Sequence, residues 1–326
     1  MSRTLVTGAS GFVGRALVTE LVTRGVAVRA PVRERRGADS LPAGTDAPVV
    51  GDLTAIKDFS SLLAGVDTVM HLAARAHVTS DRGDANAGLY REVNEHLTRR
   101  FAEAALAAKV GRFVFVSTIK VFGETDRGRP YRADDVARPE DVYGRTKLAA
   151  ELAVREVCAG GGMTPVIVRP PLVYGPGVRA NFLRLIRLVD RGAPLPFASV
   201  RNRRSMVNLR NLVDFLCRCR ETPAAAGRTL LVSDGVDLST PDLVRHLARS
   251  LDRRPRLWPV PPAVLRALAG LLGYGGEVKR LTDSLSLDIA ESCAALDWTP
   301  PVTVDAGIRS AVAAYRGERS TTEGLK

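Results

Sequence analysis

Lysine is scarce in this chain. Of 47 basic residues among 326, six are lysine and the rest are arginine, and the net charge is +12. Such an arginine excess reads either as a coding bias spread over solvated faces or as a surface for an anionic ligand. Aromatic residues make up only 5%, and no basic run is interleaved with them, which argues against nucleic acid as a partner. Cysteine is limited to Cys158, Cys217, Cys219 and Cys293. None has the spacing of a zinc site or redox pair, so they read as buried thiols of a reducing compartment, and no metal is expected. Long apolar runs are absent. The stretch "PPAVLRALAGLLG" (261–273) is too short and interrupted to span a bilayer, so no transmembrane segment is expected. It reads as an amphipathic core helix, or as a helix touching a membrane interface. A first strand beginning at residue 3 or 4 leaves no room for a signal peptide, so the expected location is cytoplasmic.

What is present is alternation. Hydrophobic residues are 45% of the chain, enough for a large core. "TLVTG" reads as a strand, "FVGRALVTELVTRG" as a helix, "VAVRAPV" as a second strand, "APVVGDL" as a third and "VDTVMHLAA" as a fourth. A helical segment follows over about 86–109, then a fifth strand at "GRFVFVST" (111–118), a helix at 143–157 and a sixth strand opening "PVIVRPPLVYGP". Buried strands alternating with helices predict an α/β fold: a Rossmann-type, doubly wound parallel sheet. The second half has more proline and shorter elements. The expected division is a dinucleotide-binding domain over 1–175 and a substrate-binding lobe over 176–326, interleaved with the end of the sheet.

Gly8, Gly11 and Gly14 stand between the first strand and the first helix, in "TLVTGASGFVG". There, backbone N–H groups and the helix dipole face an anion. Gly8 allows the tight turn, Gly11 admits a pyrophosphate to the backbone, and Gly14 lets helix and strand pack closely. The pattern predicts a dinucleotide site.

The G-x-x-G-x-x-G spacing resembles the short-chain dehydrogenase/reductase superfamily. Two further stretches carry the resemblance. One is Tyr143-x-x-x-Lys147 in "YGRTK"; six Tyr and six Lys predict about 0.1 such pairs by chance. The other is "FVFVSTIKVFG", where Thr118 stands 25 residues before Tyr143, as the catalytic hydroxyl does in the extended, nucleotide-sugar branch. "HLAARAHV", "RPPLVYGPGVRANFLRL" and "VRNRRSMV" are similar to a bacterial surface-polysaccharide subgroup of UDP-sugar 4-epimerases and 4-keto reductases. The resemblance covers about residues 4–316.

The resemblance implies Thr118, Tyr143 and Lys147 as catalytic residues acting at carbon 4 of a UDP-hexose. A free tyrosine titrates near about 10, too high for a base at neutral pH. A lysine at i+4 shares its helix face and is expected to lower it. The implied cofactor surface is Gly8, Gly11, Phe12, Val13, Gly14, Arg33, Asp52, Leu53, Leu72, Ala73, Ala74, Asn94, Tyr143, Lys147 and Pro170. The implied substrate contacts are Ser117, Lys120, Asn181, Arg204 and Arg280. Ser117 reads alternatively as a strand-end hydroxyl bonded to backbone, and Lys120 as a solvated charge beside the cleft.

Two departures are informative. Nucleotide-sugar dehydratases carry an Asp-Glu pair after the threonine, and here those positions are Ile119 and Lys120, which excludes dehydratase chemistry. No acid lies between Val28 and Arg33, where an NAD site places one for the ribose hydroxyls. Arg33, Arg35 and Arg36 stand there instead, which points to NADP, with NAD as the alternative. NADP in turn favours a 4-keto reductase over a 4-epimerase with resident NAD. A non-catalytic NADP-sensing regulator is the reading from another class. The Ala-rich stretches 102–109 and 148–154 fit the homodimer that the family implies.

Overall fold

The computed structural model describes residues 2–76, 86–271, 273 and 275–323. The end of "HLAARAHV", at His77 and Val78, and Leu272 in the expected core helix lie outside them. The strands are β1 (Arg3–Thr7), β2 (Ala27–Arg29), β3 (Thr68–His71), β4 (Arg112–Val116), β5 (Thr164–Arg169), β6 (Leu172–Tyr174), β7 (Met206–Asn208) and β8 (Thr229–Leu231). Six form one parallel sheet in the order β2-β1-β3-β4-β5-β8, and β6 pairs with β7 in a second sheet. The strand order reverses between β1 and β3, so a crevice opens beyond their carboxyl ends.

Side chains alternate between the two faces with the two-residue period of a strand. Val6, Met70, Val114 and Val168 pack under helices Phe12–Thr23 and Leu209–Glu221. Leu5, Val69, Phe113, Phe115 and Ile167 pack under helices Leu97–Ala107 and Val142–Cys158. Both faces are covered, which is why these strands read as continuous apolar runs. The helical segment before β4 holds a π-helical turn at Glu92–His96.

The expected third strand is a correction. Residues 46–50 run beside β2, with bonds from Asp46 N to Val28 O, Ala30 N to Asp46 O, Val32 N to Pro48 O and Val50 N to Val32 O. Only isolated bridges result, at Arg29–Asp46 and Val32–Val49. Pro48 has no N–H to offer the Ala30 carbonyl, and the ladder breaks there.

The second half has its own core. Tyr174, Phe182, Ile186, Leu247 and Ile308 join helices Ala180–Asp190, Thr240–Ser250 and Val304–Glu323. Phe12, the first residue of its helix, packs against both this core and the sheet core. Helix Pro262–Leu271 buries Leu265 and Ala269, while Val264, Leu268 and Leu271 are exposed. Among the described residues no helix is long and apolar enough to cross a membrane.

Candidate active site

The glycine turn meets the chain that follows β3. Gly8 has φ +68°, and a Cβ there would lie 2.8 Å from the Ala73 nitrogen. At Gly14 a Cβ would lie 2.1 Å from the Gly8 carbonyl oxygen. Both neighbours are backbone and cannot swing aside. The Thr7 hydroxyl accepts from the N–H groups of Leu72 and Ala73 at 3.2 and 3.1 Å, tying the ends of β1 and β3 together. Gly11 caps the first helix without a side-chain bond, which leaves the N–H groups of its first turn facing the crevice. This cradle has room for an anion and none for side chains, so it fits the diphosphate of a dinucleotide. Phe12, Val13, Leu53, Leu72, Ala73 and Ala74 are all half-buried around it.

Asp52 starts the short turn Leu53–Ala55 and accepts from the Thr54 N–H and hydroxyl at 2.9 and 2.8 Å. These bonds, with Arg33 beyond them, hold its carboxyl below the usual carboxylate range. Arg33 Nη2 lies 3.2 Å from Asp52 Oδ2. The first arginine of the expected 2′-phosphate cluster therefore already has an anionic partner.

Helix Val142–Cys158 carries both Tyr143 and Lys147. Its N-cap is Asp141, whose Oδ1 accepts the Gly144 N–H at 2.6 Å. Tyr143 is half-buried and hydrogen-bonded to Thr118, which stands just past the end of β4. Lys147 is buried, with Nζ 3.9 Å from the centroid of the Phe115 ring. The expected lowering of the phenol by Lys147 is not what the protein's own groups produce. Burial pushes Tyr143 up, Asp141 and Tyr90 add to that, and the Thr118 hydrogen bond opposes it. Burial also pushes the Lys147 ammonium down to about 7, against the pull of Glu151. Below it, His71 is held neutral between Thr7 and Thr98, pushed down to about 3 by burial and by Lys147.

Three expected site residues turn inward. Asn94, fully buried in the π-helical turn, donates to the Thr146 hydroxyl at 3.0 Å and accepts from the Arg75 N–H at 2.8 Å. It braces the Tyr143 helix. The Ser117 hydroxyl donates to Glu151, which is paired with Arg169 at 2.6 Å, and both charged side chains are buried. The Ser117 hydroxyl thus serves a buried ion pair and not, as its alternative reading had it, the backbone. Pro170 is buried, and its carbonyl accepts the Ile119 N–H at 3.0 Å, fixing the turn after Thr118.

The reading of Lys120 as a solvated charge is corrected. Its ammonium is largely buried and paired: Nζ lies 2.7 Å from Glu124 Oε1 and 2.6 Å from Asp141 Oδ2. Glu124 Oε2 in turn lies 3.3 Å from Arg280 Nε. Arg204 is half-buried, and its Nη1 donates to the Asp283 carbonyl at 3.0 Å. Burial pushes its guanidinium below the ordinary value, against the pull of Glu124 and Asp283. Lys120 and Arg280 therefore share one carboxylate, Glu124, whose charge also reaches Arg204, whereas Asn181 is exposed in the first turn of its own helix. Glu124 and Asp141 were not among the expected site residues. The i, i+4 spacing of Lys120 and Glu124 is the signal that would have found the first; Asp141 has only the look of an ordinary helix cap.

The pattern of the NAD dependent epimerase/dehydratase family matches residues 4–232. A UDP-glucose 4-epimerase of Vibrio cholerae is 42% identical over 314 residues, covering 95% of this chain and 94% of that protein. Among solved structures, MoeE5 in complex with UDP-glucuronic acid and NAD is 28% identical, with a TM-score of 0.78 over 97% of this chain and 100% of its own. A UDP-glucuronic acid 4-epimerase from Bacillus cereus in complex with NAD shares the fold, with a TM-score of 0.80 at 21% identity over 97% of this chain and 99% of its own.

Proposed function

Since the chain belongs to the NAD dependent epimerase/dehydratase family and is an enzyme of the short-chain dehydrogenase/reductase type, we propose that it inverts carbon 4 of a UDP-hexose with resident NAD. The observation that carries this is the 42% identity, across 95% of the chain, to a UDP-glucose 4-epimerase. It favours the epimerase over the reductase expected from the arginines after β2. That expectation rested on the missing acid beside Arg33, Arg35 and Arg36, of which Arg33 is paired with Asp52 and Arg35 with Asp39.

In this reading the Gly8–Gly14 turn holds the dinucleotide diphosphate, Asp52 the adenosine end and Lys147 the nicotinamide ribose. The nicotinamide, when bound, supplies the acceptor and donor of hydride. Tyr143 takes the proton of the sugar 4-hydroxyl and returns it, and Thr118 holds that oxygen. Inversion requires that one carbon be reached from both faces. The hexose must therefore turn over while its nucleotide stays anchored, a task we assign to Arg204, Arg280 and the lobe 176–326. A cytoplasmic homodimer belongs to the same proposal. Leu89 and Leu152, exposed on neighbouring helices, suit its twofold contact.

The purified protein should interconvert UDP-glucose or UDP-N-acetylglucosamine with the 4-epimer without added cofactor. Tyr143→Phe should lower turnover by about a hundredfold or more while bound NAD is retained. Net consumption of added NADPH, with a UDP-sugar reduced in equal amount, would reinstate the reductase.

A further inference from the structure

We propose that Lys120 is a positioning residue for proton transfer at Tyr143: its ammonium clamps Asp141 and thereby cancels the negative charge beside the phenol. This rests on the role given to Tyr143 above. The clamp is defined on both sides. Asp141 spends Oδ1 on the helix cap, at 2.6 Å from the Gly144 nitrogen, and Oδ2 on Lys120 Nζ at 2.6 Å. The Lys120 side chain is only 13% exposed and that of Asp141 35%, so water screens the pair from the Asp141 side alone. Its backbone belongs to the same device. The Lys120 N–H reaches the Thr118 hydroxyl at 3.3 Å, and its carbonyl sits where a Cβ on Gly144 would approach to 2.7 Å. The turn carrying Thr118 is thus pressed onto the first turn of the Tyr143 helix, and the ammonium pins it there.

Among the described residues, three elements bring groups to the phenol. From its own helix come Asp141 at the cap and Lys147 one turn on; from helix Ala87–Arg91 comes Tyr90, with the Arg75 guanidinium 5.6 Å from its ring centroid. From the turn after β4 come Thr118 and Lys120. Glu124 and, through it, Arg280 of helix Gly275–Thr282 lie on the far side of the ammonium. Asp141 is the carboxylate among these that bears on Tyr143, and Lys120 is the cation bonded to it.

The test is the pH profile. Removing the ammonium takes away a positive charge bonded to Asp141, which disfavours phenolate. In Lys120→Gln the acid limb of kcat/KM should therefore move to higher pH, by about one unit. Lys120→Arg should restore it. Lys120→Gln with Asp141→Asn should return the limb towards the parent, since asparagine still caps the helix but carries no charge. The phenolate difference absorbance of each variant against its own Tyr143→Phe partner reads the same shift without turnover. A parent protein that is inactive on UDP-sugars at every pH would sink the epimerase reading and leave this titration as the test of Lys120. Overlapping profiles in parent and Lys120→Gln, or a loss equal at all pH that Asp141→Asn does not reverse, would overturn the proposal.

Discussion

The two ends of the crevice are built by opposite means. At the dinucleotide end the chain removes atoms: the Gly8–Gly14 turn fits against Leu72 and Ala73 because there is no Cβ to obstruct it. At the end proposed for the sugar the chain adds long charged side chains: Lys120 and Arg280 hold Glu124 between them, and Arg204 bonds the Asp283 carbonyl. A backbone fit is all or none. A charge network yields by degrees, because each member can find water or another partner. The first end suits a ligand that never changes, and the second suits a ligand that must turn within its site.

The largest effect should come from breaking the backbone fit. Gly14→Ala places a carbon 2.1 Å from the Gly8 carbonyl oxygen. Dinucleotide binding, measured by fluorescence titration, should be lost, and chemical denaturation should show a cost of roughly 1–3 kcal/mol. Normal NAD affinity in that variant would mean that the close packing is not needed. At the other end the response should be graded. Arg280→Ala should raise KM for the UDP-sugar about tenfold and leave kcat within about twofold, the signature of lost uniform binding. A matching fall in kcat would place Arg280 in the chemistry instead.

The smallest change in stability should appear at Lys147, on the seam between the two ends. Burial lowers this lysine from 10.5 to about 7. The unfolded chain therefore keeps a proton that the folded chain sheds between those values. The buried charge costs stability in full below about pH 7, and the cost fades as pH rises towards 10.5. Lys147→Met should be inactive, yet at pH 7 it should melt higher than the parent by roughly 2–4 °C. Thermal scans at pH 10 should show most of that gain gone. A gain independent of pH would assign it to packing against Phe115 rather than to charge.

The same contrast decides what could be read in the sequence. Gly8, Gly11 and Gly14 were legible because the turn tolerates no other residue type. The strands of the sheet were legible because burial on both faces demands continuous apolar runs. The strand at 46–50 misled because Pro48 is apolar in pattern but cannot donate its share of the ladder. The partners of Ser117 and Lys120 were hidden for another reason. Each polar group found one distant in sequence, Ser117 at Glu151 and Lys120 at Asp141. Pairings of that kind depend on packing between elements, and no local spacing encodes them.

Because the chain returns to its sheet late, the lobe of the second half cannot be inherited as a cassette. A recombination point near residue 175 would part β5 from β8, which are hydrogen-bonded neighbours. It would also part the first helix from Leu209–Glu221, which pack in one core. Viable hybrids between homologous genes should keep Leu209–Leu231 and Leu296–Trp298 with the parent of the sheet. New substrate ranges would then arise by exchanging the stretches between, Ala180–Arg204 and Thr240–Thr282. Inheritance in such a lineage would run in interleaved blocks, with the invariant block threaded through the variable one.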